Sequence, residues 1–284
     1  MSNLIHYIRT SIRGIYPERE AAAIARVVAE EAFGISLTDI YMGKDRQLSE
    51  DEQQKLKNIV DRLTKNEPVQ YVLGVANFCG MSLEVNPHVL IPRPETEELV
   101  LQIFSDFKDK TVPKRVLDIG TGSGCIPIAL NKRWSESIVE GWDISSDALT
   151  VARRNNNRIG TNVTFKQCDI LQPIGEKNEK FDLIVSNPPY IKHCESEAME
   201  PNVLDWEPRL ALFVPDNDPL LFYRAIAACA QQLLNPKGMI YLEINREHGE
   251  ETLALLNSCG FKDAKIIKDI HGNDRIIKAH FISE

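Results

Sequence analysis

The stretch Leu117-Asp-Ile-Gly-Thr-Gly-Ser-Gly-Cys-Ile126 decides the fold of this chain, because it joins a strand to a helix through a glycine-rich turn. Residues 115–119 have the apolar character of a short buried strand, and a helical pattern runs from the turn to Arg133. The three glycines let the backbone turn tightly and approach a ligand without intervening side chains. Open α/β sheets bind ligands at the carboxyl end of such a strand. We therefore predict a ligand site at this turn.

On the carboxyl side of the turn, strand and helix patterns alternate to the end of the chain. Further strands are predicted at residues 137–142, 163–167, 181–186 and 238–244, helices at 146–158 and 219–234, and a closing pair of strands at 264–268 and 275–282. Alternation of this kind indicates a parallel-rich sheet with helices on both faces. We therefore predict an α/β fold with a Rossmann-like, seven-stranded domain over residues 95–284.

The residues before this domain have a different pattern. Residues 1–66 are predicted to form a small helical bundle, with a helix at 18–32 and another after a capping box at Ser49-Glu-Asp-Glu52. Residues 67–94 are predicted to form a short hairpin at 78–85 and an extended linker punctuated by prolines. Residues 96–107 are again helical. From the pattern alone, the bundle is equally a packing appendage or a docking surface for a macromolecule.

Charge, hydropathy and cysteine content argue against several classes of protein. The net charge of −8 weakens the case for a broad duplex-binding face, although it leaves room for a local basic patch. The apolar runs are far shorter than the roughly 20 residues of a membrane span, and the N-terminus lacks the pattern of a secretory signal. The six cysteines form no C-x-x-C pair, which predicts reduced thiols, no metal site and a cytoplasmic location.

The glycine-rich turn differs from the dinucleotide fingerprint G-x-G-x-x-G in its G-x-G-x-G spacing and in Asp118, two positions before it. A pyrophosphate at the helix N-terminus disfavours a nearby anion, whereas a cofactor with a positive sulfonium and an ammonium group prefers one. Asp143 follows the second strand, where an acid can accept both ribose hydroxyls of a nucleoside. Asp169 could accept an adenine amino group, with Ile170 on the ring face. Taken singly, these residues could also be a plain turn, a helix cap and loop.

The most specific motif is Asn187-Pro-Pro-Tyr190, at the end of the fourth predicted strand. Two prolines hold the backbone rigid and remove two N–H donors, so carbonyls here are free to accept from a substrate NH2. The side-chain oxygen of Asn187 can accept the second N–H, and Tyr190 can stack on a flat amide or base. Beside a site for a sulfonium cofactor, the motif predicts methyl transfer to a planar amide or amine nitrogen.

The chain resembles the HemK/PrmC family of class I amino-methyltransferases over nearly its whole length. The similarity is carried by the glycine-rich turn and by Pro68-Val-Gln-Tyr-Val-Leu-Gly74, Val89-Leu-Ile-Pro-Arg-Pro-Glu-Thr-Glu97, Asp143-Ile-Ser145, Val185-Ser-Asn-Pro-Pro-Tyr-Ile191, Glu207-Pro-Arg-Leu-Ala-Leu212 and Leu242-Glu-Ile244. One departure follows the last of these stretches. Many members have Gly and then, three positions later, Gln, where this chain has Asn245 and His248.

The resemblance implies that residues 95–284 are a class I methyltransferase domain with S-adenosylmethionine as its cofactor. It implies that Gly120, Thr121, Gly122, Ser123 and Gly124 hold the cofactor, with Asp143 on its ribose, Ile170 against its adenine and Asn187 touching it, while Asn187, Pro188, Pro189 and Tyr190 hold the substrate. Members methylate the side-chain amide of the glutamine in the Gly-Gly-Gln motif of peptide chain release factors. The helical bundle would then dock the release factor, and no nucleic-acid substrate is expected.

The expected reaction is in-line transfer of the methyl group from the cofactor to the amide nitrogen, with Asn187 and the Pro188 carbonyl accepting its two N–H bonds. An adenine-N6 nucleic-acid methyltransferase is the alternative, because the same motif can grip a flipped base. The acidic net charge and the lack of a basic target-recognition domain stand against it. A degenerate methyltransferase that only binds release factor or ribosome is a third reading, and the presence of both intact motifs argues against it.

Overall fold

The computed structural model describes residues 3–36, 38–39, 42, 47–175 and 179–282. Two units are present, one formed by Met1–Val75 with Glu200–Trp206 and the other by Ala76–Met199 with Glu207–Glu284. The predicted division of the chain after residues 66 and 94 stays a prediction. The predicted helical character of residues 1, 2, 37, 40, 41 and 43–46 lies outside the described residues.

The helical unit contains α1 (Asn3–Ser11), α2 (Glu18–Phe33), α3 (Glu50–Leu63) and α4 (Val69–Leu73). Its core is made of apolar side chains at helical spacing, among them Ile8, Val28 and Leu63, which are fully buried. The predicted capping box is confirmed: the Glu52 N–H donates to Ser49 Oγ at 3.3 Å, and the Ser49 N–H donates to the Glu52 carboxylate at 3.0 Å. These bonds satisfy N–H groups that the first turn of α3 leaves without helical partners.

The short helix α4 was not predicted, because five residues are too few for helical periodicity to be visible. Its position depends instead on a contact made by a side chain of α3. The Arg62 guanidinium donates to the backbone carbonyls of Tyr71 and Val72, at 3.0 Å and 2.9 Å, and Arg62 also pairs with the buried Glu67. A cation at the carboxyl end of a helix satisfies carbonyls that the helix leaves unpaired.

The predicted hairpin is present, but it begins three residues before the predicted range. It pairs β1 (Val75–Phe78) with β2 (Met81–Glu84). Cys79 and Gly80 both have positive φ, at 47° and 68°, which is the backbone of a tight two-residue turn. The helix α5 (Pro94–Asp106) follows the proline-marked linker and has Pro94 at its first position, where a missing N–H is tolerated.

The seven-stranded sheet predicted from the alternating pattern is confirmed. The elements that follow α5 along the chain are, in order, β3 (Arg115–Ile119), α6 (Cys125–Arg133), β4 (Ile138–Asp143), α7 (Ser146–Ile159), β5 (Val163–Gln167), β6 (Phe181–Ser186), β7 (Ile191–Lys192), α8 (Pro201–Trp206), β8 (Phe213–Val214), α9 (Leu221–Leu233), β9 (Leu234–Glu243), α10 (Gly249–Ser258), β10 (Phe261–Lys268) and β11 (Asp274–Phe281). Of these, β7 and β8 form a separate parallel pair, which was not predicted, and α8 belongs to the helical unit.

The strand order of the large sheet is β10-β11-β9-β6-β3-β4-β5. All neighbours are parallel except β11, which is antiparallel to both β9 and β10. The strand β9 begins four residues before its predicted start, because a register irregularity opposite β6 accommodates Pro236 and Lys237, the latter at positive φ.

The order of the strands places a crevice between β3 and β6. The chain leaves β3 toward β4 and β5 on one side, and later crosses to β6 and β9 on the other side. Alternate residues of β3 face opposite cores: Val116 packs with Leu99 of α5, and Leu117 packs in the cluster that contains Tyr223 of α9. With both faces covered, the carboxyl ends of β3 and β6 are the open edge, which is where doubly wound sheets bind ligands.

Candidate functional site

The glycine-rich turn is pinned to the end of the neighbouring strand by backbone hydrogen bonds. The N–H groups of Gly120 and Thr121 both donate to the carbonyl of Trp142 in β4, at 2.8 Å and 2.9 Å. The Gly124 N–H donates back to the Thr121 carbonyl at 2.8 Å. This closes the turn and starts α6 with its N-terminus toward the crevice.

Two glycines of the turn are needed for different reasons. Gly122 has φ of 52°, and among the described residues a Cβ placed there would meet no atom within 4 Å, so its side is open space. Gly124 has φ of 79°, and a Cβ there would lie 3.0 to 3.2 Å from side-chain atoms of Ile128, Ala152 and Phe165. The left-handed backbone favours glycine at both positions. Gly124 therefore serves the packing of the domain, and Gly122 keeps the crevice open.

Asp143, the last residue of β4, holds the turn from the side. One carboxylate oxygen accepts the Gly122 N–H at 2.8 Å and the other accepts the Ser145 N–H at 2.9 Å. Burial raises the pKa of Asp143, and the backbone N–H groups of Ser145, Gly122 and Ile144 oppose that rise. A carboxylate has about four acceptor positions, so each oxygen can accept a further donor after making these two bonds.

Asp118 lies beneath the turn rather than in the wall of the crevice. Its side chain is fully buried, and neither carboxyl oxygen makes a hydrogen bond of ordinary geometry with the part of the chain that the structure describes. Burial raises the pKa of Asp118 to about 7; the Thr121 hydroxyl is near enough to lower it, and the charge of Asp143 raises it. A cation that binds near such a buried acid favours its ionised form and lowers its pKa.

The Asn187-Pro-Pro-Tyr190 motif follows β6 and is anchored at both ends to one buried carboxylate. The Asn187 side-chain NH2 donates to Thr96 Oγ1 at 3.0 Å, and the Thr96 hydroxyl donates to Glu243 Oε2 at 2.7 Å. The Tyr190 hydroxyl donates to Glu243 Oε1 at 3.2 Å. Glu243 is the last residue of β9 and is 1% exposed. The first and last side chains of the motif are thereby tied to the end of the adjacent strand.

A cavity lies at the carboxyl ends of β3, β4 and β6 and brings most of the predicted site residues together. Those that line it are Gly120, Thr121, Gly122, Ser123, Asp143, Asp169, Ile170, Asn187, Pro188 and Pro189. Among the described residues, Gly124 and Tyr190 are predicted site residues outside its wall. Gly124 faces the core, and the Tyr190 hydroxyl is occupied by Glu243.

Several residues of the cavity wall were not singled out as site residues from the sequence. They are Arg93 and Thr96, from the segment before α5 and its first turn, and Leu210 and Phe222. Arg93 pairs with the buried Glu207, which also accepts the Ile91 N–H at 3.1 Å. The family-like stretches that contain Arg93, Thr96 and Leu210 carried a signal for these positions, but their contacts depend on the fold.

Of the two residues that depart from the family pattern, Asn245 contacts the same motif. Asn245 is buried, its side-chain NH2 donates to the Tyr190 carbonyl at 3.2 Å, and its own N–H donates to the Tyr223 hydroxyl at 3.2 Å. Its side-chain oxygen accepts the Glu247 N–H at 3.0 Å. His248 pairs with Glu251. Asn245 therefore supports the backbone of the motif from below.

No group of His, Cys, Asp and Glu side chains suited to a metal ion is present in the described ranges. In the same ranges, no helix is long and apolar enough to cross a membrane.

Two family models match the chain. The PrmC N-terminal domain matches residues 3–74, and the Methyltransferase small domain matches residues 98–203. The chain is 48% identical over 280 residues to the release factor glutamine methyltransferase of Bacteroides thetaiotaomicron, covering 99% of this chain and 100% of the relative. It is 40% identical over 273 residues to that of Flavobacterium psychrophilum, covering 95% of each. A solved methyltransferase from Pyrococcus furiosus has the same fold, with a TM-score of 0.51 and 18% identity over 83% of this chain and 100% of that chain.

Proposed function

Because this chain belongs to the family of release factor glutamine methyltransferases, we propose that it methylates the glutamine of the Gly-Gly-Gln motif in peptide chain release factors. The methyl group would pass from S-adenosylmethionine to the side-chain amide nitrogen. Its family membership agrees with the resemblance predicted from the motifs. The observation that carries the proposal is the orientation of Asn187: its NH2 is occupied by Thr96, so its oxygen remains to accept an N–H of the substrate.

The residues of the cavity fit the proposed cofactor. Gly122 leaves space where any side chain would project, and Asp143 has acceptor positions left for ribose hydroxyls. Asp169 and Ile170, which line the same cavity, would take the adenine amino group and ring. The buried Asp118 would favour the positive charge of the cofactor. When bound, S-adenosylmethionine supplies an electrophilic methyl group.

The chain's own part in the reaction is to orient and activate a weak nucleophile. An amide nitrogen reacts poorly because its lone pair is delocalised into the carbonyl group. Asn187 Oδ1 and the Pro188 carbonyl would accept its two N–H bonds, raise electron density on the nitrogen and fix its line of approach. Orientation of this kind contributes about 7–11 kcal/mol to lowering a barrier. The nitrogen loses its proton after transfer, when it is positively charged, so no general base is required beforehand.

The helical unit is proposed to dock the release factor. It has its own buried core and matches the PrmC N-terminal domain over residues 3–74. Docking by a separate unit would let the enzyme recognise a folded protein while the cavity receives only one side chain. The two roles predicted for this unit, packing and docking, are then not exclusive.

The test is methylation of a purified release factor with labelled S-adenosylmethionine, followed by peptide mass analysis. Label on the glutamine of the Gly-Gly-Gln motif, and none on a release factor with that glutamine replaced by alanine, is the expected result. A duplex containing adenine is assayed in parallel. Label on adenine without label on glutamine would replace the proposal by the adenine-N6 alternative. Cofactor binding without transfer to either substrate would leave only the non-enzymatic reading.

A further inference from the structure

The side-chain amide of Asn187 has two orientations of nearly the same shape. In one, the oxygen faces the substrate position and can accept an N–H; in the other, the NH2 group faces it and cannot. Only the first orientation can grip an NH2 group. Something in the protein must therefore choose between the two, and the residues that choose lie outside the motif.

We propose that Thr96 and Glu243 are positioning residues, which hold the Asn187 amide with its oxygen toward the substrate. The proposal rests on the proposed function and adds to it the device that sets the acceptor. An ionised carboxylate only accepts hydrogen bonds. Because Glu243 Oε2 lies 2.7 Å from Thr96 Oγ1, the single hydroxyl proton of Thr96 is committed to Glu243. Thr96 must then accept from Asn187, and the group 3.0 Å from it is the NH2.

Burial leaves the polar atoms of Thr96 and Glu243 few alternative hydrogen-bond partners. Thr96 and Glu243 are 2% and 1% exposed, so water does not compete for their polar atoms. A buried carboxylate is costly unless it is hydrogen-bonded. Burial raises the pKa of Glu243 to about 6, and the Thr96 hydroxyl, the charge of Arg275 and the Tyr190 hydroxyl oppose that rise, so the group is mostly ionised at neutral pH. An apolar residue would fill the end of β9 at lower cost, so the carboxylate points to a role in directing these protons.

The device is assembled from three elements that are distant in the chain. Thr96 is in the first turn of α5, Asn187 follows β6, and Glu243 ends β9. Since β6 and β9 are parallel neighbours, Asn187 and Glu243 emerge at the same edge of the sheet. The helix α5 covers that edge and places one hydroxyl between them.

The matched variants are Thr96→Val and Thr96→Ser. Valine has the shape of threonine but leaves the Asn187 NH2 against methyl groups whenever the oxygen faces the substrate. We expect the single-turnover rate with saturating cofactor to fall about tenfold or more, while the Kd for S-adenosylmethionine changes less than about twofold. Serine restores the hydroxyl, and most of the lost rate should return. Thr164→Val, at an exposed position of β5, is the control for the substitution itself.

A double-mutant cycle with Asn187→Ala decides whether Thr96 acts through Asn187. If it does, Thr96→Val has little further effect in the Asn187→Ala background. Equal losses in both backgrounds, or a wild-type rate in a folded Thr96→Val enzyme, would overturn the inference. If Thr96→Val does not fold, the same cycle is run with Glu243→Gln, which retains the shape of the carboxylate. Wild-type enzyme that leaves the release-factor glutamine unlabelled refutes the proposed function itself, whereas labelled glutamine with unaffected Thr96→Val refutes only the positioning role.

Discussion

Replacement of Asn187 by alanine should abolish most methyl transfer without unfolding the protein. The side chain is only partly buried, and its loss leaves the sheet and the two prolines of the motif unchanged. The nitrogen of the substrate becomes positively charged as the new bond forms, so its hydrogen bond to Asn187 Oδ1 becomes charge-assisted. Hydrogen bonds to charged groups contribute about 1.5–3 kcal/mol. We expect a loss in the upper part of that range, about 100-fold in rate, equivalent to ~2.7 kcal/mol of transition-state stabilisation.

Replacement by aspartate separates this reasoning from a merely local role. A carboxylate oxygen would replace the NH2 that lies 3.0 Å from Thr96 Oγ1, which is itself 2.7 Å from Glu243 Oε2. The two carboxylates would then lie less than about 6 Å apart and repel each other by roughly 3 kcal/mol at an effective dielectric constant of 20. If Asn187 only capped the turn, aspartate would serve nearly as well. We instead expect Asn187→Asp to lose as much activity as Asn187→Ala and to melt at a lower temperature.

The assay for both variants is single-turnover methylation of a release factor at saturating cofactor, with the modified glutamine identified by peptide mass. Thermal unfolding and cofactor binding, measured on the same preparations, show that each variant is folded. A folded Asn187→Ala enzyme with a near wild-type rate would refute the proposed grip on the amide. Loss of transfer to glutamine with faster labelling of adenine would favour the adenine-N6 alternative.

Three further outcomes are expected from the glycine turn and its carboxyl groups. Gly122→Ala should leave the fold intact but weaken S-adenosylmethionine binding at least about tenfold in calorimetry, because its methyl group enters open space at the turn. Gly124→Ala should lower the melting temperature, because its methyl group meets three side chains at 3.0 to 3.2 Å. The reverse pattern would contradict the roles assigned to the two glycines. Asp143→Ala should weaken cofactor binding by about 1.5–3 kcal/mol, because it removes the proposed ribose acceptor and the acceptor of two backbone N–H groups, and wild-type affinity in the folded variant would remove Asp143 from the site. Burial raises the pKa of Asp118 to about 7 in the free protein. Because a nearby cation favours the ionised form of the carboxyl group, affinity for the cofactor should rise as the pH increases through 7. Asp118→Asn should flatten this pH dependence.

The strands of the sheet were predictable because each has a local signature, and so were the helices α5, α6, α7 and α9, whereas α10 was not predicted. Alternation of apolar strands and amphipathic helices predicted all seven strands, and the closing antiparallel pair was correctly placed on the two sides of the turn at His271. The short elements were missed. The five-residue helix at Val69–Leu73 is too short to show a helical period, and two of its carbonyls accept from the guanidinium of Arg62.

The roles of the predicted site residues stay predictions, but the structure brings most of these residues to one cavity. The glycines and Asp143 meet at the crevice because they end adjacent parallel strands. Tyr190 was predicted to stack on the substrate from its place in the motif, and that role stays a prediction. In the fold its hydroxyl is hydrogen-bonded to Glu243, and its ring packs against the core on the α9 side of the sheet.

The sequence by itself determined the class of fold, the ligand site expected at the glycine-rich turn and the family, because these follow from periodicity and from contiguous motifs. Only the tertiary structure decided which atoms of Asn187 are available to a substrate. Thr96 precedes Asn187 by 91 positions and Glu243 by 147, so no local pattern relates the three residues. Their relation arises when parallel pairing aligns the ends of β6 and β9 and α5 covers that edge. Burial then excludes water from Thr96 and Glu243 and gives the hydrogen bonds a single direction.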